Sequence, residues 1–125
     1  MLHEIGLIKS FVNAKNKDRF LSLISTAKGR LKFRQYVSHF KYLDEKYSTT
    51  IALTKTELVE LLQSKKAPKD CYIISENSKY DMQHMPLDKA LIELYGSGIA
   101  YFISCIAGKL VIYEDEYFTK KILIC

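Results

Sequence analysis

Residues Ile99–Ile124 read IAYFISCIAGKLVIYEDEYFTKKILI, apolar runs broken twice by turn-forming residues. Ala107-Gly108 predicts a tight turn, Leu110–Tyr113 a returning strand, and Glu114–Glu116 a second turn before a closing strand over Tyr117–Ile124. Three consecutive strands of this kind form a β meander. Upstream, Pro86 stands where a helix can begin, and Leu87, Ala90, Leu91 and Leu94 recur at i, i+3, i+4 and i+7, with Gly96 as the stop. Gly96-Ser97-Gly98 then connects that helix to the meander.

Cys71–Ser75 (CYIIS) is an apolar run of the kind found in central strands, and Glu76–Met85 is polar and irregular. Before it, Thr54–Glu57 (TKTE) matches a capping box and opens a helix with Leu58, Leu61 and Leu62 on its buried face, ending ahead of Pro68. Tyr47–Leu53, rich in β-branched residues, reads as a strand. The first forty residues carry three stripes at helical spacing: Ile5, Ile8 and Val12; Phe20, Leu23, Ile24 and Ala27; Phe33, Tyr36, Val37 and Phe40. Asn16 is placed to cap the second helix, with Asp18 in its first turn.

The order is therefore three helices, then β-α-β-α-β-β-β. An α+β fold follows, with parallel strands joined by helices and an antiparallel meander giving a mixed sheet packed by helices. A chain of 125 residues that is 48% hydrophobic and 26% charged suits one domain with one core, residues 1–125, with a helical part over 1–43 and a sheet part over 44–125. No apolar stretch approaches the roughly 18 residues of a membrane span, and no secretory leader follows Met1, so the expected location is the cytoplasm. Three cysteines without a CxxC pair suit a reducing compartment.

Charge is distributed unevenly. The net charge of +5 arises in the first fifty residues, and its densest run is Lys28–Tyr42, KGRLKFRQYVSHFKY. Projected on a helix, Phe33, Tyr36, Val37 and Phe40 share one face, and Arg30, Lys32, Arg34 and Lys41 fall on the solvent side. With Lys28 and an exposed Tyr42, these could contact phosphates and stack on a base. They equally offer a positive field to an acidic protein surface. Glu114, Asp115 and Glu116 form an acidic turn that could meet a basic partner instead.

Catalytic and metal motifs are weak. Cys105, with Asp81 and His84 in the loop before Pro86, is the one thiol constellation, and it needs a base beside the nucleophile. His3, His39 and His84 lack the paired spacings of a metal site, and the five glycines form no phosphate cradle, so neither metal nor cofactor is expected.

The segments CYIISEN (71–77), PLDKAL (86–91) and SCIAGKLVIYEDE (104–116) are similar to stretches of uncharacterised short bacterial α+β proteins. With sixteen Lys against three Arg, thirteen Ile and no Trp, the composition fits an AT-rich bacterial gene. In type, the chain resembles immunity proteins of contact-dependent growth inhibition systems. That resemblance implies a non-catalytic protein that binds a cognate toxin and occludes its active site; a nucleic-acid-binding or regulatory module is the other expectation. Many such toxins are basic nucleases with acidic inhibitors, and this basic chain departs from that pattern.

Overall fold

The computed structural model describes residues 2–125. The chain is α+β. Its helices are α1 (Leu2–Phe11), α2 (Lys17–Ile24), α3 (Ala27–Arg34), α4 (Lys55–Ser64) and α5 (Leu87–Leu94). The strands are β1 (Ser48–Ile51), β2 (Asp70–Ser75), β3 (His84–Pro86), β4 (Tyr101–Ile106), β5 (Leu110–Glu114) and β6 (Lys120–Ile124). They form one sheet in the order β1-β6-β5-β4-β2-β3. Among the described residues, no helix is long and apolar enough to cross a membrane.

Every neighbouring pair is antiparallel, which corrects the expectation of a mixed sheet. Two features are responsible. The segment read as irregular contains β3, which turns the chain back along β2 before α5, so that β4 enters antiparallel to β2. In addition, the β1-α4-β2 unit carries the chain across the sheet rather than to a neighbouring position, so its two parallel strands are separated by β6, β5 and β4.

Alternation along the strands makes two cores, one on each face. Tyr72, Ile74, Phe102, Val111, Tyr113 and Leu123 face the layer formed by α1, α2 and α3, where they meet Leu7, Ile8, Phe11, Phe20 and Phe33. Cys71, Ile73, Tyr101, Ile103, Cys105 and Ile112 face Leu58 and Leu62 of α4 and Ala90, Leu91 and Leu94 of α5. The N-terminal helices thus pack onto the sheet, because α1 to α3 alone have too little apolar surface to close a core of their own.

Local signals account for many boundaries. Thr54 and Glu57 form the capping box of α4, with Glu57 N donating to Thr54 Oγ1 at 3.1 Å and Thr54 N donating to Glu57 Oε1 at 2.9 Å. Those bonds hold the Glu57 carboxyl below its ordinary range. Gly96 follows α5 at φ 73°, and Gly108 turns β4 into β5 at φ 69°. Asn16 occupies the cap position of α2 but makes no capping bond; its amide instead donates to Asn13 Oδ1 at 2.7 Å. The third helix ends at Arg34, and Tyr36–Phe40 continues as a 3-10 turn over Val37–His39. The apolar set Phe33, Val37 and Phe40 is nevertheless buried, because both the helix and the turn lie on the same sheet face. In the meander, β6 starts at Lys120 rather than at Tyr117. The backbone of Asp115–Thr119 is held instead as a turn, with Asp115 Oδ1 accepting from Tyr117 N at 2.9 Å and Thr119 N at 3.0 Å.

Candidate functional site

Arg30, expected among the solvent-facing charges of α3, is 7% exposed. Its Nε donates to Glu4 Oε1 at 2.8 Å and its Nη2 to Asp81 Oδ1 at 2.7 Å. Glu4 Oε2 accepts from the Tyr72 hydroxyl at 2.5 Å, and Asp81 Oδ1 also accepts from Ser75 N at 3.0 Å. Burial by itself would lower the Arg30 pKa, but the bonds and charges of Glu4 and Asp81 outweigh it and the net direction is up. The Tyr72 hydroxyl is pushed up by burial and then by its bond to Glu4. Arg30 is therefore a buried link between α1, α3 and the loop after β2 rather than one of the solvent-facing charges of α3.

Of the other basic candidates, Lys28, Lys32 and Lys41 are exposed and Arg34 is half-buried. Among the described residues, none of the four forms a salt bridge with an acid. Tyr42, expected to be exposed, is half-buried in an aromatic cluster, with ring centres 5.1 Å from Phe20, 5.4 Å from Phe40 and 5.9 Å from Tyr36. The Arg19 guanidinium lies 4.7 Å from the Phe20 ring centre and 5.2 Å from that of Tyr42. Tyr42 is thus engaged in packing and a cation–π contact rather than standing free in solvent as expected.

The acidic turn also divides. Glu114 belongs to β5 and is fully buried, accepting from the Tyr101 hydroxyl at 2.7 Å and Gly96 N at 3.0 Å. Its Oε2 has no hydrogen-bond partner among the described residues and faces Lys120 Nζ at 3.6 Å. Burial and the Glu114 charge push the Tyr101 hydroxyl up. Glu114 thus ties α5 to the meander, Asp115 pins the turn, and Glu116 alone of the three is freely exposed.

The thiol constellation does not assemble. Cys105 lies at a register shift of β4 against β5 and packs with α4 and α5, whereas Asp81 is held by Arg30 beneath the other helical layer. Burial pushes the Cys105 thiol up to about 12, and burial with the Asp70 charge does the same for Cys71, the opposite of what a nucleophilic thiolate requires. Cys125 is exposed. Titration with a disulfide reagent is accordingly expected to detect one reactive thiol in the native chain and three after denaturation; rapid labelling of Cys105 in the native chain would contradict this placement.

The fold joins residues that no sequence spacing connects. Tyr72 pairs directly with His84 on β3 and with Ser104 on β4, so the three lie in one row across the sheet. His3, from α1, lies over that row, its ring stacked on Tyr72 at 5.3 Å and 11°. Its Nδ1 is 2.7 Å from Ser104 Oγ, and its ring centre is 6.1 Å from that of His84. Burial and the neighbouring His84 lower the His3 pKa. On the opposite face, a groove of about 550 Å³ runs between α4 and α5, with Val59, Leu62, Pro68, Leu87 and Leu91 among its walls. Compared with known protein families, curated proteins and solved structures, the chain finds no match.

Proposed function

We propose that this chain is a non-catalytic, cytoplasmic bacterial protein that neutralises a toxin by binding over its active site, as immunity proteins do. The observation that carries the reading is the contrast between interior and surface. Inside, Arg30, Glu4, Asp81 and Cys105 are held in packed or hydrogen-bonded contacts, whereas Lys28, Lys32 and Lys41 stand in solvent without a salt-bridge partner among the described residues. A chain with this distribution has reach for an acidic protein surface rather than groups poised for chemistry.

The test is inhibition of the toxin domain encoded beside the gene. A stable complex and loss of toxin activity are expected, with Lys28→Glu, Lys32→Glu and Lys41→Glu together weakening the complex by at least tenfold, about 1.4 kcal/mol. An unrelated metabolic neighbour, or a toxin domain left active by an excess of this chain, would overturn the proposal. The same lysines favour nucleic acid as a second reading. Binding to generic DNA or RNA that weakens steeply as salt rises would support it, and absence of affinity at low ionic strength would remove it.

A further inference from the structure

We propose that His3 and His84 form a binding site for a borderline divalent cation of the zinc type. The row His84, Tyr72 and Ser104 supplies the frame, because directly paired residues on adjacent antiparallel strands project from the same face. His3 is fixed on this frame twice, by stacking flat on Tyr72 and by the 2.7 Å bond between Nδ1 and Ser104 Oγ. The tautomer with its proton on Nδ1 donates to Ser104 and leaves the Nε2 lone pair for a metal. This is the arrangement in which a second hydrogen-bonding group orients a ligating imidazole.

His84 is exposed on the edge strand, and among the described residues neither of its nitrogens makes a hydrogen bond to another side chain. With metal–nitrogen bonds of about 2.0–2.1 Å, one ion bound by two imidazoles places their ring centres roughly 5 to 6 Å apart. The observed separation is 6.1 Å, so a small rotation of the exposed His84 side chain suffices. Electrostatics act in the same direction. Behind Tyr72, Glu4 and Asp81 share the single cation Arg30, a formal charge of −1 that favours a cation at the mouth of the row.

Imidazole ligands select zinc, copper and nickel over calcium or magnesium. Among the described residues, no group of three or more His, Cys, Asp or Glu side chains surrounds a common point, so water completes the coordination. The site thus has the open positions of an exchangeable metal site rather than the closed shell of a structural one.

The experiment is calorimetric titration of this chain with zinc ion, in a Cys125→Ser background that removes the exposed thiol, together with NMR of the histidine ring signals. One saturable ion is expected, with the His3 and His84 ring signals shifting together. His84→Ala is expected to weaken binding at least tenfold, and Ser104→Ala by about 10-fold through loss of ring orientation. His84 is exposed, so its removal leaves the fold in place, as circular dichroism of the variant would verify. Absence of saturable binding in the millimolar range would overturn the proposal, and so would equal affinity in His84→Ala and the parent.

Discussion

Arg30→Met is expected to lower the free energy of unfolding by about 3 to 5 kcal/mol, a large share of the roughly 5–15 kcal/mol that holds a domain of this size together. The loss comes from what remains. Glu4 and Asp81 are 1% and 8% exposed, and without the guanidinium each carboxylate would sit in the interior with no cation to offset its desolvation. Urea titration followed by circular dichroism reads the change as a shift in midpoint with little change in slope. Adding Glu4→Gln and Asp81→Asn to the same chain is expected to recover part of the loss, because two neutral amides are far less costly to bury than two unpaired charges. Lys32→Met on the same helix is the control, expected to change stability by no more than about 0.5 kcal/mol. An Arg30→Met effect as small as that of the control would mean that water reaches the cluster.

Phe20→Ala is expected to cost about 3 to 5 kcal/mol, measured in the same way. Phe20 is fully buried in α2, with ring centres 5.1 to 5.6 Å from those of Tyr42, Tyr36, Phe40 and Phe33. These partners come from α3, from the 3-10 turn after it and from the segment leading to β1, so one ring fastens three successive parts of the chain. Truncation removes its buried area and leaves a cavity whose walls belong to different elements and cannot collapse together. Tyr42→Ala is expected to cost clearly less, since Tyr42 is half-buried and water can occupy the vacated edge. Equal losses would show that the cluster stabilises through the Arg19 contact rather than through the enclosed ring.

The elements were legible where the chain carried its own punctuation: the TKTE cap, Gly96 after α5, and the Ala107-Gly108 turn. Strand direction was not, because it depends on β3, three residues in a polar stretch whose pairing is recognisable only once β2 lies beside it. Arg30 departs from its expected solvent face for a related reason. It lies three residues before Phe33, at the margin of the buried face, and only its partners decide whether that margin is wet. A signal existed on the other side of the pair. Glu4, Leu7, Ile8 and Phe11 stand at i, i+3, i+4 and i+7, which puts a carboxylate in the apolar stripe of α1 and calls for a buried cation elsewhere. The stripe Ile5, Ile8 and Val12 does not include it. Glu114 was read from its neighbours in a run of three acids, although strand alternation separates it from Asp115. The His3, Tyr72, His84 and Ser104 group carries no spacing signal, since it exists only through strand register.

The position of β6 bears on when the sheet can close over β1. Among the described residues, β1 has a single neighbour in the sheet, β6, which is inserted between β1 and β5. During synthesis, the residues around Ser48–Ile51 emerge about seventy positions ahead of Lys120–Ile124, with which they pair, and loop closure over that separation is slow. A nascent chain that does not yet hold β6 can gather β2, β3, β4 and β5 with their helices, yet it leaves Ser48–Ile51 without a ladder and Val111 and Ile112 on an open border. Until β6 arrives, that border is the place where a growing chain is most exposed to pairing with another.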